Sequence, residues 1–135
     1  MRLARATAVL FLMPLVSCVN HLPDQDLRIL ETTPSARLSA ADLWNDYAAD
    51  AKKANRQYFG KALIVTGAAT KIGSDAPTDR FVLFGQQKEL GVRANLLDEQ
   101  AAAILERATK HPLISVKCFC EGLDGNLVLK SCVTP

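Results

Sequence analysis

Apolar side chains recur at spacings of three and four between Ser39 and Tyr58, which is the period of an amphipathic helix. The positions on this stripe are Leu43, Tyr47, Ala51, Ala54 and Tyr58. Ser39 and Asp42 form a capping box at its start, because the serine hydroxyl can accept a hydrogen bond from the amide of Asp42. Gly60 follows as a stop signal. The pattern predicts one N-terminal helix whose stripe faces a core.

After Gly60 the pattern changes to runs rich in β-branched and aromatic residues, which predict strands. The first run, residues 61–72, contains Gly67 in its interior, as is typical of a strand that bends sharply at a barrel corner. Four more strands are predicted at residues 80–84, 91–96, 113–120 and 127–133. Asp124 and Gly125 form a hairpin turn between the last two strands.

A second helix is predicted between the third and fourth strands. Asp98 can cap its start, and His111 with Pro112 ends it. The chain is therefore expected to be mainly β with helices: a five-stranded OB-fold barrel preceded by an N-terminal α-helix, with one helix between strands 3 and 4. An open α+β sheet is the alternative, and it differs in whether the first strand closes onto the fifth.

The N-terminal residues have the pattern of a secretory signal peptide. Arg2 and Arg5 precede an apolar run over residues 6–16 that is too short to span a bilayer as a helix. The run ends in Leu15-Val16-Ser17-Cys18, which resembles the lipobox of bacterial lipoproteins, where the cysteine receives diacylglycerol before cleavage. The resemblance implies that residues 1–17 are removed and that Cys18 carries the lipid.

This division predicts a lipoprotein signal peptide at 1–17, a lipid-anchored tether at 18–38 and an OB-fold-like domain at 39–135. The tether is inferred from its prolines, scattered charge and lack of any sustained period. A strand added to the domain edge is the alternative, because an apolar cluster occurs at residues 27–30. Val19 is the residue after the lipobox cysteine, and an aspartate at this position would resemble an inner-membrane retention signal. A protein anchored in the outer membrane and facing the periplasm is therefore expected.

Cleavage would also change the charge balance. It removes Arg2 and Arg5, which lowers the 16 lysines and arginines by two, so that they equal the 14 aspartates and glutamates. A neutral surface lacks the long-range attraction for phosphate on which non-specific nucleic-acid binding depends. Nucleic acid is therefore a disfavoured partner. The membrane, through Cys18, and an envelope protein are the expected partners, and the sequence does not indicate an oligomeric state.

The region 39–133 resembles the bacterial OB-fold family called tRNA-anticodon-domain-like. The resemblance rests on the predicted N-terminal helix and on the stretches 58–67, 116–122 and 128–133. In that family Cys-x-Gly on the fourth strand precedes Leu-x-x-Cys on the fifth, which here match Cys120 to Gly122 and Leu129 to Cys132. The resemblance implies a Cys120–Cys132 disulfide, and it does not imply tRNA binding, because the family name reflects fold.

The register of the last hairpin leaves this pairing open. A two-residue turn places Cys120 opposite Leu129, so the implied bridge needs a longer turn or a bulge. A three-residue turn would instead place Cys118 across from Cys132.

No residue pattern indicates catalysis or metal binding. His111 is the only histidine of the predicted domain. Its position at a helix end does not pair it with a cysteine or serine, which would need such a base to act as a nucleophile. Cys118 and Cys120 lack the Cys-x-x-Cys spacing of structural zinc sites. We therefore expect no enzymatic activity, no metal and no cofactor.

The candidate ligand face follows from the expected fold. OB-folds bind ligands on the face of strands two and three, rimmed by the loops after strands one and four. Here these are Phe81, Phe84 and Arg93, with loops 73–79 and 122–126, and at least one phenylalanine is expected in the core. The leading hypothesis is a non-enzymatic, lipid-anchored OB-like domain that binds a protein or envelope component. The alternative is an oligosaccharide- or nucleic-acid-binding module.

Overall fold

The computed structural model describes residues 25–75, 79–85 and 91–135. A 3-10 turn at Leu27–Leu30 precedes seven strands and three helices. These are β1 (Ala36–Ser39), α1 (Ala40–Ala49), α2 (Ala51–Tyr58), β2 (Ala62–Gly67), β3 (Ala69–Ser74), β4 (Arg80–Gly85), β5 (Gly91–Leu96), α3 (Asp98–Lys110), β6 (Ile114–Asp124) and β7 (Asn126–Val133). The predicted signal peptide and Cys18 lie outside the described residues. Within the described ranges, no helix is long and apolar enough to cross a membrane.

The strands form one mixed sheet in the order β1-β2-β6-β7-β5-β4-β3. The pairs β1–β2 and β5–β7 are parallel, and the other neighbours are antiparallel. The expected mainly β class and the helix between the third and fourth predicted strands are confirmed. The expected count of five strands is wrong, because the first predicted strand is divided in two and β1 is added at the edge.

The bend in the first predicted strand gives the sheet its curvature. β2 and β3 are separated only by Ala68, yet β2 pairs with β6 while β3 pairs with β4. At the bend, a Cβ added to Gly67 would lie 2.9 Å from the Phe84 ring and 3.1 Å from the Ala40 Cβ, so the close packing there requires glycine. The two halves of the first predicted strand therefore pair with the fourth and the second predicted strands. The expectation that the first strand pairs with the fifth is wrong.

The predicted helical stripe packs into the main core. Leu43, Tyr47, Ala54 and Tyr58 are buried with side chains from the sheet. Ser39 Oγ accepts from the Asp42 amide at 3.0 Å, so the predicted cap is confirmed. The single predicted helix is instead two, because Asp50 adopts an extended conformation and its carboxylate accepts from the Lys53 amide at 3.1 Å, which caps α2.

The start of α3 differs from the prediction. Leu97 occupies the cap position and makes no side-chain cap hydrogen bond, so the prediction of Asp98 as the cap is wrong. The Asp98 amide instead donates to Gln25 Oε1 at 2.8 Å. A distant side chain therefore satisfies one of the free amides of the helix terminus.

The N-terminal segment packs on the domain from Gln25 onward. Ile29 is fully buried in a second cluster with Ala62, Leu97, Phe119 and Val133. The Asp26 amide donates to Ser131 Oγ at 2.8 Å. Further along, β1 pairs with β2. The predicted tether over 18–38 is thus wrong for its described part, because these contacts make residues 25–38 part of the domain. A strand is indeed added at the domain edge, but it is β1 at Ala36–Ser39, and the apolar cluster on which the edge-strand alternative rested forms the 3-10 turn Leu27–Leu30.

The disulfide joins Cys118 to Cys132, with Cα atoms 4.3 Å apart, and Cys120 is free and buried. The Cys120–Cys132 pairing is therefore wrong. Asp124 pairs with Asn126 around Gly125, and an irregularity near Gly122 leaves Cys120 opposite Leu129. Farther along the hairpin, the register shifts again between Lys117 and Phe119. That second shift, beside Ser131 with its φ of 56°, brings Cys132 to Cys118.

The ion pair at the start of the N-terminal segment predicts a pH effect. Arg28 donates from Nη2 and Nε to the Asp26 carboxylate, at 2.6 Å and 3.0 Å, and these hydrogen bonds lower the pKa of Asp26. Because the unfolded-state pKa is about 3.9, the pair stabilises the fold above that pH, and this contribution is lost as pH falls through the folded-state pKa. We expect thermal unfolding of the wild type to depend more steeply on pH below about 4 than that of Asp26→Asn. Parallel pH profiles would contradict this.

Candidate functional site

A groove of about 630 Å³ opens on the face of the sheet opposite the helices, and we call it the outer groove. It is lined by the ends of β5, β6 and β7, by the turn between β6 and β7, and by residues outside the strands. The lining residues are Phe59, Asp79, Arg93, Asn95, Glu121, Leu123, Asp124, Asn126, Val128 and Lys130.

The alternation of strand residues creates this groove. On β5, Val92 and Ala94 point into the main core, so the intervening Arg93 points to the opposite face. On β7, Leu129 is in the core and its neighbour Lys130 lies in the groove. The same two-residue period that builds the core therefore collects polar side chains on the outer face.

The structure keeps two of the three predicted ligand-face residues, Arg93 and Phe81, in contact and places the third, Phe84, on the other face. Arg93 lines the groove, and its guanidinium lies 3.9 Å from the centroid of the Phe81 ring. Phe81 is almost fully buried, in part because Gly73 leaves room for its ring. Phe84 belongs to the main core and lies on the other face. The expectation that at least one phenylalanine packs in the core is confirmed.

Both basic side chains that line the groove are held by carboxylates. Arg93 Nη2 lies 2.7 Å from Asp75 Oδ2 and 3.8 Å from Asp79 Oδ2. Lys130 Nζ lies 2.7 Å from Glu121 Oε2, and both of these side chains are largely buried, with exposures of 13% and 16%. Among the described residues that line the groove, three are acidic and two are basic. The groove therefore has a negative balance of charge.

One end of the groove is apolar. Phe59 and Leu123 expose 45% and 47% of their surface there, beside Val128. Phe59 ends α2, and paired backbone hydrogen bonds between its neighbours and Cys120 fix it against β6: the Gly60 amide donates to the Cys120 carbonyl, and the Cys120 amide to the Lys61 carbonyl. The sequence prediction of loop 122–126 as a rim agrees with this placement, but it missed Phe59 and Lys130. The polar alternation of the fifth predicted strand was the available signal for Lys130.

A cysteine thiol and a tyrosine hydroxyl of the core are both held in their protonated forms. Cys120 is fully buried, its sulfur lies 3.4 Å from the Tyr47 hydroxyl, and burial raises the pKa of its thiol, which keeps it protonated and unreactive. A hydrogen bond to Asp46 raises the pKa of Tyr58 to about 12. In the part of the chain that the structure describes, no group of three or more histidine, cysteine, aspartate or glutamate residues could hold a metal ion.

Comparisons with known proteins identify the family. Curated protein sequences give no match. A solved structure from Klebsiella pneumoniae subsp. pneumoniae MGH 78578, described as a "putative nucleic acid-binding lipoprotein", is 12% identical, with a TM-score of 0.47 over 76% of this chain and 89% of that chain. The family model tRNA_anti-like matches residues 5–133. Because that match covers nearly the whole sequence, the chain belongs to the tRNA_anti-like family.

Proposed function

We propose that this protein is a non-enzymatic, lipid-anchored binding protein of the bacterial envelope, and that its outer groove binds a segment of a partner protein. One observation carries the proposal. The groove joins an open apolar end, formed by Phe59 and Leu123, to a polar end whose basic groups are already paired with carboxylates. Protein segments combine apolar and polar groups in this way, and exposed apolar patches rimmed by polar residues mark interaction sites.

Phosphate-rich ligands suit this groove poorly. Nucleic-acid affinity depends on lysine and arginine side chains that neutralise phosphates. Arg93 and Lys130 would have to exchange their carboxylate partners for phosphate, and the remaining acidic groups would repel it. Single-stranded nucleic acids also stack on exposed aromatic rings, and because Arg93 covers Phe81, Phe59 is the one exposed ring among the described residues that line the groove.

The second candidate is an OB-like module that binds an oligosaccharide or nucleic acid. The exposed ring of Phe59 favours it, since a sugar or a base could stack there within reach of the side-chain amide of Asn126. The fold supports this candidate by analogy only.

The anchor in this proposal is Cys18. The sequence Leu15-Val16-Ser17-Cys18 supports lipid attachment, and Val19 supports an outer-membrane location facing the periplasm. Diacylglycerol together with an N-terminal acyl chain would hold the protein on the membrane durably, because two or more chains bind far more stably than one. Substituting Cys18→Ala is expected to abolish incorporation of a labelled fatty acid into the protein, because the thiol that accepts the diacylglycerol is then absent.

Crosslinking in the native host, with mass spectrometry of the captured material, tests the function. We expect Leu123→Ser to reduce capture of the wild-type protein partner by about three- to tenfold, because covering the 47% of Leu123 that is exposed contributes about half of the 1.5–3 kcal/mol for burying a whole leucine. Leu113→Ser is the matched control, because Leu113 is 61% exposed and does not line the groove.

Equal capture by the two variants would refute the groove as the binding site. Glycan or nucleic acid recovered in place of protein would establish the second candidate. Salt separates these ligands, because binding driven by phosphate contacts weakens steeply as salt rises.

A further inference from the structure

The 3-10 turn Leu27–Leu30 presents two leucines outward from a fixed base. Leu27 is 55% exposed and Leu30 is 43% exposed, whereas Ile29 between them is fully buried. The Asp26 side chain caps the turn through the Arg28 amide, and the Asp26 amide is bound by Ser131. The leucines are therefore held in place by the domain.

The position of the turn in the chain indicates what covers these leucines. Seven peptide units separate Cys18 from Gln25, and a fully extended chain of that length spans at most about 25 Å. A lipid on Cys18 would keep the docked start of the domain within that distance of the bilayer surface. The nearest large apolar phase for Leu27 and Leu30 is then the membrane itself.

One basic group beside the leucines can reach a lipid surface, although the acidic Asp26 and Glu31 outnumber it, so the leucines supply the contact. The Arg28 side chain is 73% exposed although it is paired with Asp26, so its guanidinium can also reach phosphate headgroups. Glu31, which follows the turn directly, is exposed as well. Apolar side chains beside a basic group are typical of segments that lie in the membrane interface.

We propose that the turn Leu27–Leu30 is a second membrane contact, in which Leu27 and Leu30 enter the lipid interface while Cys18 holds the anchor. This inference rests on the lipid anchor of the proposed function. The turn packs on β6 and β7, and the outer groove is lined by the same two strands. The contact would hold the groove beside the membrane, where it would meet a partner segment close to the lipid surface.

A fluorescent probe tests this contact in the acylated full-length protein. A thiol-reactive NBD label is placed at Leu27→Cys, at Leu30→Cys or at the control Leu113→Cys, and the protein is reconstituted in phosphatidylethanolamine–phosphatidylglycerol vesicles. Labelling is selective because Cys120 is buried, Cys118 and Cys132 are bridged and Cys18 is acylated. We expect a blue shift and quenching by nitroxide lipids at positions 27 and 30, and neither effect at 113.

Each outcome decides a separate claim. Vesicle-bound, acylated protein without lipid quenching at positions 27 and 30 overturns the second contact and leaves the anchor standing. A blue shift without lipid quenching also overturns it, because the leucines would then be covered by protein. A purified mature protein whose mass shows no acylation contradicts the anchor, and the second contact with it.

Discussion

The double substitution Cys118→Ala, Cys132→Ala is expected to lower the free energy of unfolding by about 3 kcal/mol. The bridge joins residues 14 positions apart, and removing it restores the conformational freedom of the unfolded chain. Both cysteines are also fully buried in the main core, so their loss removes packing as well. Urea unfolding of the oxidised proteins measures the difference.

Cys120→Ala is the matched control for the disulfide. Cys120 is buried in the same core two positions from Cys118 on β6, but it forms no bridge. Its substitution should cost about 1 kcal/mol, since it removes a sulfur and the contact with the Tyr47 hydroxyl. Reductant should destabilise the wild type and Cys120→Ala, and leave the double variant unchanged.

Alkylation identifies the bridge directly. Of Cys118, Cys120 and Cys132 in protein unfolded without reductant, only Cys120 should be alkylated. Alkylated Cys118 with protected Cys120 would instead support the pairing implied by the family motif. If reductant destabilises all three proteins equally, the bridge does not account for the loss of stability.

The register of the last hairpin explains why the cysteine pairing could not be predicted from spacing. The turn pairs Asp124 with Asn126, a register that alone would place Cys120 opposite Lys130. The irregularity between Cys120 and Gly122 adds a residue to β6, and it is this first shift that leaves Cys120 opposite Leu129. The second shift, beside Ser131, then adds a residue to β7, and this shift brings Cys132 to Cys118. Bulges depend on how two strands pack together, and neither serine nor its neighbours signal one locally.

The outer groove was predictable in part. Phe81 and Phe84 are three positions apart on one strand, so they had to point to opposite faces, and only one of them could belong to a ligand face. The placement of the Arg93 side chain on the outer face follows from the alternation of buried and less buried residues along β5. The pairing of Arg93 with Asp75 was not predictable, because it joins a strand to a loop 18 residues away in the chain.

The N-terminal segment shows the limit of local patterns. Its prolines and lack of period predicted a tether, and no periodic stripe marks residues 25–35. Its contacts are distant in sequence: Gln25 reaches the start of α3 across 73 residues, and Asp26 reaches Ser131 across 105. A few such contacts can fix a segment that has no secondary-structure signal of its own, because each satisfies a buried or terminal polar group.

Ile29→Ala is expected to lower the free energy of unfolding by about 2–4 kcal/mol, because the buried side chain leaves a cavity between Phe119, Leu97 and Val133. Leu27→Ala, two residues earlier, is the control, and it should cost less than about 0.5 kcal/mol because Leu27 is mostly exposed. Urea unfolding measures both variants. Hydrogen exchange at the β1 amides of Ile29→Ala then shows whether the N-terminal segment opens before the rest of the domain.

The two variants also decide whether the N-terminal segment forms a rigid link between the anchor and the groove. If Ile29→Ala costs no more than Leu27→Ala, residues 25–35 do not fold with the domain, and the groove could turn freely relative to a lipid on Cys18. If the expected difference is found, the segment is a rigid part of the domain. Loosening it should then raise exchange at Phe119 and at β1 together, because Ile29 packs on Phe119 and β1 continues the same segment.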